Sequence, residues 1–173
     1  MSQYVSKPLS REDIRKYSCG IRKILHLENC LRFPIVEFFE VMPEWFAQSN
    51  FYTEIVEDTE MPPNIHAEYD LRTNSIRIKN SVYEGACAGS GRDRMTMAHE
   101  IGHFLIIRQN GVQLCRSFSE QVPTFQDPEW QAKCFAGELL IPAHLVHGMP
   151  SAKIAEECGV SLDAAIYQLG KIK

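Results

Sequence analysis

The sequence predicts an α+β domain, and three observations lead there. Apolar residues recur at helical spacing in long segments towards both ends of the chain. Between them lie short β-prone runs separated by turn residues. A further helical segment carries His99, Glu100 and His103 on neighbouring turns.

Each element has its own local reason. Ser10 has the character of an N-cap, with Glu12 and Asp13 in the first turn. Ile14, Tyr17, Ile21, Ile24 and Leu25 follow at helical spacing, so a helix is expected from Ser10 to His26. Pro34 suits the first turn of a second helix running towards Phe46, which Pro43 must kink or end. Tyr52 to Val56 is β-prone, and Met61-Pro62-Pro63-Asn64 breaks the run. Ala67 to Leu71 and Ser75 to Lys79 flank a polar Arg72-Thr73-Asn74 turn, which predicts a hairpin. In its second arm Ile76 and Ile78 alternate with Arg77 and Lys79, as in a half-buried strand. Gly85, Gly89 and Gly91 mark a loop. A helix is expected from Arg92 to Arg108, a loop from Gln109 to Asp127, and a long helix from Pro128 to just before Pro142. Ser151 to Lys173 reads as two short helices around Cys158-Gly159-Val160-Ser161. The expected division is one domain over 1–150, N-terminal helices included, with 151–173 a short helical tail packed on it.

Composition narrows the function class. At 173 residues the chain is long enough for one good core. Hydrophobic content of 45% and charged content of 23% are ordinary for a soluble globular protein. No apolar run approaches bilayer length, and the start, Met1 to Pro8, lacks the apolar stretch of a secretory signal. A cytoplasmic protein with no membrane partner is therefore expected. Cys19, Cys30, Cys87, Cys115, Cys134 and Cys158 are scattered without a C-x-x-C pair, which argues for reduced structural thiols. The formal net charge is −4 with no dense basic run, which argues against nucleic acid as the main partner.

The chemistry lies in His99-Glu100-Ile101-Gly102-His103. Four-residue spacing on a helix puts both rings on one face, one turn apart, where they can bind one zinc ion. Glu100 lies beside that face, where it can take a proton from water activated by the metal. Two histidines and a glutamate on a buried face are costly without partners, which favours a metal over a plain core helix. Gly102 costs about 1 kcal/mol relative to Ala inside a helix and makes sense if another backbone approaches there.

A catalytic zinc needs a third protein ligand and one open position. Glu129 is the best candidate. Asp127 can cap its helix, Pro128 occupies the first position, and the helix dipole favours a carboxylate in the first turn. Ala132, Ala136 and Leu140 share its face, and small residues there let the helix lie close to the one bearing His99. Glu138, nine residues on, is about 180° around the helix and is expected to face water, or at least not to share a zinc with Glu129. Glu120 is a looser alternative.

Two blocks then resemble the ImmA/IrrE-like metallopeptidases. Arg92-x-Arg94-Met95-Thr96-Met97-Ala98-His99-Glu100-Ile101-Gly102-His103 is similar to their R-x-R-F-T-x-A-H-E-[LI]-G-H. Glu129-x-x-Ala132-x-x-Phe135-Ala136-x-x-Leu139-Leu140-x-Pro142 is similar to their E-x-x-A-N-x-F-A-x-x-L-L-x-P. The resemblance implies a small zincin-like core, a short mixed sheet plus active-site helix and ligand helix, with flanking helices. It implies Zn2+ held by His99, His103 and Glu129, with Glu100 as catalytic base. Members are bacterial, often carried on phages or mobile elements, and some cleave a helix-turn-helix repressor to switch genes on. Two positions depart from the pattern: Met95 replaces a usual Phe, and Lys133 replaces a usual Asn. Lysine has no acceptor for a histidine N–H, so another group must orient that ring.

Ile154 to Ser161 also resembles the first helix and turn of a helix-turn-helix unit, with Ala164, Ala165, Ile166 and Leu169 on the second helix. That suggests a rival, a DNA-binding or protein-binding regulatory module with a structural or inactive metal site. The tail is balanced in charge, Lys153, Lys171 and Lys173 against Glu156, Glu157 and Asp163, and offers few phosphate contacts. The expectation is therefore a zinc peptidase acting on a specific cytosolic protein such as a helix-turn-helix repressor. Its substrate segment is expected to add to an edge strand at Ile76, Arg77 and Ile78. His144, Tyr69 and Tyr83 are rivals for stabilising the oxyanion, as is His147, and none is assigned.

Overall fold

The computed structural model describes residues 4–114 and 122–172. Cys115 and the alternative carboxylate Glu120 lie outside the described residues.

Ser10 separates a short strand, β1 (Tyr4–Ser6), from the first helix, α1 (Arg11–Ile24). The Ser10 hydroxyl accepts from the Asp13 N–H at 3.1 Å and the Asp13 carboxylate accepts from the Ser10 N–H at 3.0 Å, a reciprocal cap. The second helix, α2 (Ile35–Trp45), follows Pro34. Pro43 removes one backbone donor yet the helix runs on to Trp45, so the proline does not end it. Three strands follow: β2 (Tyr52–Val56), β3 (Ala67–Asp70) and β4 (Ser75–Lys79). The expected hairpin forms between β3 and β4, turning at Asn74 in the left-handed region, φ 54°.

The expectation of a free edge at Ile76, Arg77 and Ile78 is wrong. β4 is the middle strand of the order β2-β4-β3, parallel to β2 and antiparallel to β3. Ile76 and Ile78 are fully buried, and Arg77 stands in register between Glu54 and Glu68. It reaches both, at 3.1 and 3.3 Å. Lys79 is buried too, its ammonium donating to the Pro62 carbonyl at 2.8 Å. The two charges that suggested an edge are thus consumed by neighbours across the sheet and the loop before it.

A helix, α3 (Asn80–Cys87), takes up the Gly85 part of the predicted loop, a Cβ on Gly85 would clash with the Asp93 carboxylate, and the turn is confined to the residues around Gly89. Then come α4 (Gly91–Asn110), β5 (Val112–Leu114), α5 (Pro128–Leu140), α6 (Ala143–Val146), α7 (Ser151–Cys158) and α8 (Leu162–Leu169). β5 pairs antiparallel with β1, a small second sheet that closes the loop after α4. Among the described residues this gives an α+β architecture of eight α-helices, a mixed three-stranded sheet and a two-stranded one. The core lies between the three-stranded sheet, α4 and α5. Phe39, Met42, Ile76, Met97, Ile101, Phe104, Phe135 and Leu139 are all buried there. The five cysteines of the described residues are unpaired. No helix among the described residues is long and apolar enough to cross a membrane.

Buried polar side chains tie the outlying elements to this core. Arg22, 1% exposed, donates to the carbonyls of Leu139, Cys30, Leu27 and Leu31. Arg94, also buried, donates to the carbonyls of Phe33 and Gly159, so α4 holds both the entry to α2 and the turn between α7 and α8. The tail buries Ile154, Cys158 and Ala165 in the same core. Glu138 does not face water. It is 2% exposed and paired with Arg11 and Arg15 of α1 at 3.0 and 2.7 Å. The opposite face of α5 was read correctly from helix geometry, but α1 covers it.

α4 and α5 make the most extensive helix pairing. A Cβ on Gly102 would lie 2.9 Å from Phe135 Cδ1 and 3.2 Å from the Ala132 carbonyl oxygen. A side chain there would press on the Phe135 ring and the Ala132 backbone, so glycine suits this contact best.

Two stability outcomes follow. Arg22→Met keeps the apolar stem but leaves the Leu139, Cys30 and Leu31 carbonyls without their donor, so urea unfolding should show a loss of about 3 kcal/mol; an unchanged midpoint would mean those bonds are replaced by water. Gly102→Ala gains about 1 kcal/mol of helix propensity but overpacks the contact by roughly 1–3 kcal/mol. The net change in the same assay should be destabilising, whereas a gain would show that the helices can part at little cost.

Candidate metal centre

α4 delivers three of the site's side chains from two successive turns. Ser90 caps it, its hydroxyl accepting from the Asp93 N–H. His99 and His103 then project together, their rings 4.6 Å apart and edge to face. α5 delivers the fourth. Asp127 caps that helix by accepting from the Glu129 N–H at 3.0 Å, with Pro128 at the first position. The cap fixes the direction of the first turn and thereby points Glu129 across at the histidines.

The three groups converge. His99 Nε2 lies 3.0 Å from His103 Nε2 and 3.3 Å from Glu129 Oε2, and His103 Nε2 lies 3.2 Å from Glu129 Oε1. Tetrahedral ligand atoms with bonds of about 2.0–2.1 Å to one zinc ion stand about 3.3–3.4 Å apart. The observed separations, 3.0, 3.2 and 3.3 Å, fall at or slightly inside that spacing, and the two-nitrogen, one-carboxylate set suits zinc. Glu129, beside His103 and His99, keeps its carboxyl well below the usual carboxylate range, ready to bind as an anion. Both rings are mostly buried, while Glu129 is 63% exposed and leaves the centre open to one side.

Glu100 stands apart from this triad. It is 8% exposed, and burial raises its carboxyl above the ordinary value. The Tyr69 N–H donates to its Oε2 at 2.8 Å, which fixes the carboxylate and leaves Oε1 for other chemistry. Tyr69 belongs to β3, the terminal strand of the sheet. This backbone donor could not be read from side-chain patterns.

The remaining sequence candidates sit elsewhere. Ile76, Arg77 and Ile78 occupy the middle strand, not the cleft. The Tyr69 hydroxyl donates to Asn74 and the Tyr83 hydroxyl to Glu40. The His144 ring bonds the Glu28 carbonyl at 2.8 Å. A cavity of about 620 Å³ opens against His99 and Glu129, with walls that include Met95, Trp130, Lys133 and Tyr167. Neither His144 nor His147 lines it. Both departures from the family pattern, Met95 and Lys133, therefore stand in one cavity wall.

Residues 56–169 match the peptidase M78 family model, described as the IrrE N-terminal-like domain. No curated protein matches the chain. Among solved structures, a Mycobacterium tuberculosis transcriptional regulator is similar over 91% of this chain, with a TM-score of 0.55 and 14% identity. That likeness concerns the fold, and the chain spans 46% of the length of the regulator. The family match covers most of the chain, including both helices of the centre, and the chain belongs to the IrrE N-terminal-like peptidase family, the ImmA/IrrE group that its two motif blocks resemble.

Proposed function

We propose that the chain is a zinc-dependent peptidase, with His99, His103 and Glu129 as metal ligands and Glu100 as the general base. The observation that carries this reading is the convergence of three donor atoms beside a buried, singly hydrogen-bonded carboxylate. A zinc ion held by the three donors supplies Lewis-acid polarisation of a peptide carbonyl and raises the acidity of adjacent water.

The protein's own groups account for the rest. Glu100 takes a proton from the attacking water at Oε1 while the Tyr69 N–H holds Oε2 still. Burial raises its affinity for that proton, and the carboxyl then passes it to the departing amine. Glu129 keeps its charge because it faces two rings.

β3 offers the substrate a backbone. His66, next to β3, and β4 are joined by the bond from the Lys79 N–H to the His66 carbonyl. By alternation Ala67 and Tyr69 then direct their amide groups away from β4. The Tyr69 N–H already serves Glu100, so an extended peptide pairing along this edge runs past the base.

The substrate in this reading is a specific cytosolic protein of the helix-turn-helix repressor type, cut so that genes are released. The family resemblance supports it, and the free cysteines suit a reducing compartment. The tail, 151–172, belongs to the same folded unit as the rest, because its apolar face completes the common core.

Glu100→Gln should leave zinc stoichiometry unchanged and abolish cleavage of a repressor encoded beside the chain. His99→Ala should lose both. Metal analysis and gel-based cleavage read the two outcomes separately; a Glu100→Gln protein that cuts at the wild-type rate would end the mechanism.

A further inference from the structure

The cavity beside the metal centre is built by three helices, and one of them carries none of the centre's groups. Met95 and His99 come from α4, Glu129, Trp130 and Ala136 from α5, and Ala164 and Tyr167 from α8. α8 is seated firmly. A Cβ on Gly137 would lie 2.8 Å from the Gln168 side-chain oxygen, so α5 has glycine where α8 presses on it. Gln168 is 1% exposed and its oxygen accepts from Arg11 at 3.3 Å. At the other end Ser161 caps α8, and Arg94 holds the Gly159 carbonyl one turn earlier.

This fixed wall ends in an unusual surface. Tyr167 is 56% exposed although it lines the cavity, and Trp130, half-buried, lines it too. Asp127 and Asp163 stand against Lys133 in the same lining, with Glu129 at the metal end, so the lining is acidic and disfavours an acidic side chain. The volume, about 620 Å³, falls within the range of small-ligand sites, about 300–1,000 Å³. A peptide whose carbonyl reaches the donors at His99 and Glu129 has its next residue at most about 3.6 Å further along. The cavity begins at those same two residues, so it lies within reach of the side chain flanking the scissile bond.

We propose that this cavity is a substrate side-chain pocket that takes a large apolar or aromatic residue next to the scissile bond, and that α8 supplies its selecting wall through Ala164 and Tyr167. The proposal rests on the peptidase reading above. In it the last helix is a specificity element of the enzyme. Aromatic and apolar walls gain contact area from such a side chain, and Tyr167 loses the exposure that it has without substrate.

The zinc-loaded protein is incubated with a mixed peptide library and the cut sites are read by mass spectrometry. Wild type should enrich Phe, Tyr, Leu or Met at one position flanking the cleaved bond. Ala164→Trp fills the cavity, and kcat/KM for the best peptide should fall at least tenfold while smaller flanking residues become preferred. Tyr167→Ala, at an exposed position that does not threaten folding, should also lower kcat/KM for that peptide. Ile166→Ala, exposed on the same helix outside the lining, should change nothing. A second readout needs no turnover. Trp45→Phe leaves Trp130 as the only tryptophan, and its fluorescence in metal-free protein should saturate with a reduced-amide peptide bearing Phe but not with its Gly counterpart. Tyr167→Ala should weaken that binding at least fivefold. Cleavage without a flanking preference, or with one that neither α8 variant moves, overturns the pocket and leaves the peptidase reading intact. If wild type cuts neither the library nor the neighbouring repressor, the peptidase reading falls; the absence of any Phe-dependent fluorescence change overturns the pocket in either case.

Discussion

The close approach of α4 and α5 at Gly102 is the constraint on which the site depends. A glutamate side chain is short, and its carboxylate meets two histidine rings on another helix at 3.2 and 3.3 Å. The close approach of the two helices holds these groups at that separation. Gly102 allows it on one side and Ala132 on the other, with Phe135 closing the contact. The same approach that costs helix propensity at Gly102 therefore sets the separation of three donor atoms. The Asp127 cap adds direction, because it fixes the first turn of α5 in which Glu129 stands.

Around that contact the interior is unusually rich in buried charge, and each instance has a partner. Arg22 and Arg94 satisfy backbone carbonyls of loops and turns, and Glu138 satisfies two arginines of α1. Unpaired, each would be strongly destabilising; paired, each joins an outlying segment to the two central helices. Arg94 belongs to the motif block that precedes the histidines, yet it touches no ligand. Its work is to seat α8 and the entry to α2, which gives that part of the motif an architectural meaning.

Much of the centre was legible because it rests on local rules. The spacing of His99 and His103, the Asp-Pro-Glu start of α5 and the misplaced glycine at 102 are all short-range signals. The helix boundaries of α1, α4 and α5 follow the same rules and fall within a few residues of expectation. What escaped was set by partners distant in sequence. Arg77 and Lys79 suggested an edge strand, but Glu54, Glu68 and the Pro62 carbonyl neutralise them in the middle of a sheet. Glu138 suggested a wet face until α1 packed on it. The Gly85 segment suggested a loop, although its glycine serves contact with Asp93 inside a helix. The pairing of β1 with β5 joins residues over a hundred positions apart and left no local trace. The Tyr69 N–H that holds Glu100 is backbone and has no sequence signature at all.

The central claim is that one zinc ion belongs between α4 and α5. Crystals of the protein grown with zinc, with diffraction recorded on both sides of the zinc absorption edge, test it directly. The account predicts a single strong anomalous peak within bonding distance of His99 Nε2, His103 Nε2 and the Glu129 carboxylate. A peak bound elsewhere, or to the histidines with Glu129 turned away, would contradict it.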